Sequence, residues 1–144
     1  MWLAYALGAS VFWGMSYVIS EHIYKHISVL SGIAAILFVS GLILGLVSLF
    51  TGALSKDAAI ILSSSRVAGL LVAGIVLLTI AELCIGFSIA HKNATIAGLI
   101  EISYPIFIAL FSYLLFSENN LNFATVMGAI LIFSGAGVIY AFNR

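Results

Sequence analysis

The chain has 144 residues, of which 64% are hydrophobic and 7% charged, and five basic residues balance five acidic ones. With a mean hydropathy of +1.28, it has too few polar groups to cover the surface of a soluble domain of this size. Its zero formal charge offers nucleic acid no basic face, and its single cysteine, Cys84, cannot form an internal disulfide.

Five stretches are long and apolar enough to cross a bilayer: Trp2–Ser20, Val29–Thr51, Val67–Ala90, Asn93–Phe116 and Phe123–Phe142. They are continuously apolar rather than alternating, which excludes a β-barrel. Backbone groups in lipid must be satisfied within the segment, so each is predicted to be a helix. The expected fold is an all-α integral membrane protein with one transmembrane domain over residues 1–144.

The first stretch lacks the basic start and small-residue cleavage site of a signal peptide, so it reads as a retained span. Along it, Ser10, Trp13, Gly14, Tyr17 and Glu21 fall on one helical face. Trp13 and Tyr17 lie too deep for a terminal aromatic belt, which points to a cavity-lining role. Glu21-His22 and Lys25-His26 follow, where long side chains reach the headgroups. His22 and His26 are four apart, but no third ligand stands nearby, so an interfacial polar cluster is expected rather than a metal site.

Gly41 and Gly45 in the second span form a GxxxG pair of the kind that lets helix backbones approach in lipid. Gly52–Ser65 is read as a long loop, with Ala58–Leu62 as a short amphipathic turn in the interface. The third and fourth spans form a hairpin through His91-Lys92. Glu82 lies nine residues before His91, and Glu101 nine residues after Lys92. At ~1.5 Å rise per residue both carboxyl groups sit about 13 Å from the turn, near the middle of a hydrocarbon core ~30 Å thick.

A carboxylate at that depth is costly in its ionised form, so it faces protein or a wet cavity and marks a functional site by default. Two together can exchange a proton for a cationic substrate, since binding one displaces the other; the plainer reading is two acids hydrogen-bonded to neighbouring helices. Pro105, four residues after Glu101, has no N–H for the Glu101 carbonyl and predicts a kink. Ala97, Glu101, Tyr104, Ile108 and Ser112 share a face, which makes Tyr104 a further cavity candidate. An aromatic wall beside carboxylates suits hydrophobic cations.

The fifth span is preceded by the polar turn Ser117–Asn122, rich in helix-stop and N-cap residues. It carries Gly128, Gly135 and Gly137, and with Gly14, Gly41 and Gly45 these are read as helix-packing positions. No nucleophile–base pair, phosphate loop or metalloprotease motif is present, so neither enzyme activity nor a cofactor is expected. Lys56 and Arg66 fall on one face of the membrane, and Lys25, Lys92 and Arg144 on the other. Two against three leaves orientation undecided.

Three motifs in order resemble the EamA-like domain of the drug/metabolite transporter superfamily. They are Ala9-Ser10-Val11-Phe12-Trp13-Gly14-Met15-Ser16-Tyr17, then Ala97-Gly98-Leu99-Ile100 to Tyr104-Pro105-Ile106-Phe107. The third is Ser117-Glu118-Asn119-Asn120-Leu121 followed by Gly128 to Gly135. The resemblance covers essentially the whole chain. It implies one five-helix half of an inverted-repeat exporter or exchanger, in a cell membrane, whose first, third and fourth helices line the path. Glu118 matches the family pattern, and its place at a helix end points to a cap. Glu82 and Glu101 are not general family signatures.

One such unit with balanced charges suits an antiparallel homodimer inserted in both orientations, which rebuilds the inverted repeat. The expected function is transport of a small metabolite or hydrophobic cation, coupled to protons. The alternatives are a half-transporter or lipid-linked-substrate flippase subunit that needs a different partner, and a non-transporting membrane interaction protein.

Overall fold

Residues 1–119 and 121–143 of the computed structural model are described here; Asn120 of the last connection and Arg144 of the charge tally lie outside them. The chain is all-helical: α1 (Trp2–Ile23), α2 (Val29–Phe50), α3 (Ala53–Ser63), α4 (Ser65–His91), α5 (Ala94–Glu101), α6 (Tyr104–Phe116) and α7 (Phe123–Phe142). Five of these stretches, with α5 and α6 counted as one, are long and apolar enough to span a membrane.

The starts of the helices follow from single polar residues. Ser28 accepts the N–H of Ser31, Ser64 that of Val67, Asn93 that of Ile96 and Asn122 that of Thr125. Each side-chain oxygen takes one of the N–H groups that a first turn leaves without a partner. Asn122, rather than Glu118, therefore caps α7. At the end of α6, Ser117 adopts a left-handed conformation at φ 57°, and its N–H returns to Tyr113 O.

The structure departs from the sequence expectation in the longest connection. The stretch expected as a loop holds α3, eleven residues long and without a buried residue, directly joining α2 to α4. Gly52, at φ 72°, supplies the left-handed turn that lets α3 start directly after α2. The fourth span is interrupted just before Pro105, where a kink is expected, with Ile102 and Ser103 still in right-handed helical conformation. α5 stops at Glu101, and the chain passes through tighter turns in which Ser103 N–H reaches Ile100 O and Ile106 N–H reaches Ser103 O. Pro105 then sits in the first turn of α6, where its missing N–H costs nothing.

Burial is confined to one end of the bundle. Val29, Ile33, Ile89, Ala94, Ala97 and Ser20 are buried, and all lie where the C-terminal ends of α1 and α4 meet the N-terminal ends of α2 and α5. Gly86 allows the closest crossing: a Cβ there would fall 2.7 Å from Ile33 Cδ1 and 2.9 Å from Val29 Cγ1. Gly32 lies under the Tyr24 ring, with Cε1 2.8 Å from a would-be Cβ. By contrast, α6 and α7 contain no buried residue among those described.

Candidate functional site

Three helices bring the deep polar residues together. α1 carries Tyr17 towards α5, where its hydroxyl donates a hydrogen bond to Glu101 Oε2 at 2.5 Å. The approach is possible because residue 98, one turn before the acid, is glycine; a Cβ there would lie 3.3 Å from Tyr17 Cδ2. Trp13, one turn earlier on α1, meets Tyr17 edge to face, with ring centroids 5.6 Å apart and planes at 68°. From α4, Glu82 lies close enough for its charge to act on both Tyr17 and Glu101. Both acids are half-buried.

Beside this cluster lies an open cleft of about 420 Å³ between α1, α2 and α4. Trp13, Tyr17 and Glu82 are in its wall with Phe12, Ser16 and Ser40, and among the described residues no basic side chain lines it. Negative charge without a positive counterpart, set in aromatic and aliphatic surface, attracts cations with apolar bodies. The cleft ends at Ser20, Tyr24, Gly86 and Ile89, in the packed end of the bundle.

The remaining predicted positions separate. Tyr104 opens α6, 53% exposed, near enough to Tyr17 for an electrostatic interaction but outside the cleft wall. Pro105 lines a second groove of about 710 Å³ between α6 and α7, together with Gly128. Gly14, Gly41, Gly45, Gly128 and Gly135 have no atom within 4 Å of a would-be Cβ. The close approaches inside one copy fall instead at Gly32, Gly86 and Gly98.

Sequence reasoning also missed what Glu21 does. Its Oε2 accepts the backbone N–H of Ala94 at 2.8 Å, and its Oε1 lies 3.8 Å from Lys25 Nζ. The carboxylate therefore serves the first turn of α5, where the helix dipole also favours negative charge, and ties α1 to the α4–α5 turn. Only its position at the end of the first span, opposite a predicted helix start, was a signal. His22 donates from Nδ1 to Val18 O at 2.9 Å within its own helix. At the same end, Lys92 Nζ donates to the backbone carbonyl of Asn143 and holds the end of α7.

The profile of the EamA-like transporter family matches residues 1–141. No curated protein and no solved structure matches the chain.

Proposed function

The chain belongs to the EamA-like transporter family, a family of multi-pass membrane transporters rather than enzymes, and we propose that it exchanges a hydrophobic cation or small cationic metabolite for protons at the Glu82–Tyr17–Glu101 cluster. The observation that carries this reading is the placement of two carboxyl groups and a tyrosine hydroxyl within the spans, beside a cleft with no basic residue in its described wall. Burying charge there is costly, so each acid is favoured when it holds a proton or a cation, and the two ligands compete. Trp13 and Tyr17 offer ring faces to an apolar cation, while Tyr104 borders the cluster from α6.

The test is flux in proteoliposomes under an imposed pH gradient, with tetraphenylphosphonium as the probe. Glu101→Gln keeps the shape and removes the titratable group; it should abolish gradient-driven uptake while the variant folds and elutes as the native protein does. Undiminished uptake in that variant overturns proton coupling at this site. Movement of a fluorescent lipid but not of the soluble cation would assign a flippase role instead.

The working assembly under this reading is an antiparallel homodimer. It is supported by the near balance of Lys and Arg across the two faces and by the open flank of α6 and α7, where Gly128 and Gly135 have free space within one copy. A cysteine placed after Arg144 in a Cys84→Ala background reads the orientation. Half-labelling of intact cells by an impermeant thiol reagent is expected, and labelling from one side alone would point to a different partner half.

A further inference from the structure

The two carboxylates are not equivalent. Glu82 stands in the wall of the cleft, whereas Glu101 does not, nor does any described residue of α5. Tyr17 belongs to both environments: its ring walls the cleft, and its hydroxyl donates to Glu101 Oε2. Two neighbours fix that ring, the edge contact with Trp13 and the close approach to Gly98. The Tyr17 hydroxyl bonds to Glu101 from α5, and Glu82 from α4 and Tyr104 from α6 act on it electrostatically.

We infer that Tyr17 partitions the acid pair, leaving Glu82 as the group that receives a cation from the cleft and keeping Glu101 as the group that holds the exchanged proton. This rests on the proton–cation exchange proposed above and assigns its two roles. Oε2 of Glu101 is occupied by the Tyr17 O–H, a bond that a protonated carboxyl accepts through its carbonyl oxygen while the other oxygen carries the proton, so an incoming cation must displace Tyr17 before it can use Oε2. Glu82 presents no such barrier on the cleft side, and the adjacent Trp13 ring adds cation–π attraction there. Occupancy of Glu101 is also felt by α1 directly, because the hydrogen bond joins the two helices. Tyr17 is thus a positioning residue.

The full chain in lipid nanodiscs, titrated with tetraphenylphosphonium at one fixed pH, separates the roles. Glu82→Gln should weaken binding by about tenfold or more, and Glu101→Gln by less than about threefold, although Glu101→Gln is the variant that stops pH-driven flux. Adding Tyr17→Phe to Glu82→Gln should restore binding to within about threefold of native, because the second acid becomes open to the cleft. Equal losses at the two acids, or no restoration by Tyr17→Phe, would overturn the partition.

Infrared titration of the carboxyl stretches decides the same question without any cation. Tyr17→Phe should move the band that vanishes in Glu101→Gln and leave the band that vanishes in Glu82→Gln in place. A shift of both bands, or of neither, sinks the assignment. If the native chain binds no tetraphenylphosphonium, the cation reading fails on its own, and the infrared result still judges the partition.

Discussion

The two ends of this bundle are built on opposite terms. Where α1, α2, α4 and α5 meet, glycines at 32, 86 and 98 let side chains of neighbouring helices close over them, and every buried residue gathers there. Polar groups reinforce that end: Glu21 takes the Ala94 N–H, and Lys92 holds Asn143 O. Apart from the Lys92 bond at the end of α7, the described residues along α6 and α7 are exposed or half-exposed, and the glycines of α7 face open space. Glycine serves close packing only where a neighbour is present to use the missing Cβ. In lipid no hydrophobic force draws bare helix faces together, so a flank without interlocking contacts stays apart until another surface covers it. The Glu82–Tyr17–Glu101 cluster belongs to the helices of the packed end and borders the cleft between α1, α2 and α4.

The comparison can be broken most severely at Gly86. Gly86→Leu drives bulk into Ile33 and Val29 and should lower stability by about 1–3 kcal/mol, read as a fall in the melting temperature of the purified protein. The matched change on the open flank, Gly135→Leu, should leave the melting temperature of a detergent-isolated single copy unchanged. It should weaken only assembly, measured by cross-linking in membranes. Equal melting shifts for the two would erase the distinction between the ends.

Smaller effects sharpen the picture. Glu21→Ala removes the side-chain partner of the α5 start and should cost ~1 kcal/mol, visible as faster hydrogen exchange at Ala94 and its neighbours. Gly98→Ala asks Tyr17 to move by only a few tenths of an ångström. It should shift the infrared band of Glu101 without a measurable change in melting temperature. Lys92→Ala should be smaller still, below about 0.5 kcal/mol as for most exposed contacts, and confined to faster exchange over the last turn of α7.

That Trp13, Tyr17, Glu82 and Glu101 merit attention could be read from the chain, but how they contact one another could not. Equal spacing from the His91-Lys92 turn set Glu82 and Glu101 at one depth, and helical periodicity put Trp13 and Tyr17 on one face. Nothing in that spacing says that Tyr17 bonds to Glu101 and lines the cleft beside Glu82, because spacing along one helix carries no information about its rotation against another. The same gap explains the glycines. GxxxG in α2 satisfied the pattern for close packing, yet the contacts formed at single glycines, Gly32, Gly86 and Gly98, that no pattern distinguished.

What the sequence determined by itself was local: apolar length dictated five crossings, polar residues at 28, 64, 93 and 122 set where helices begin, and Pro105 ensured that the fourth crossing would not be continuous. These follow from forces acting within a few residues, the solvation of the backbone in lipid and the hydrogen bonds of a single turn. Tertiary structure alone decided that Glu21 serves α5, that one end closes while the other stays open, and that the two acids face different surroundings. Each of those outcomes depends on which helix faces meet. That choice is made by complementary shape and by polar groups finding partners across helices, neither of which a one-dimensional pattern encodes.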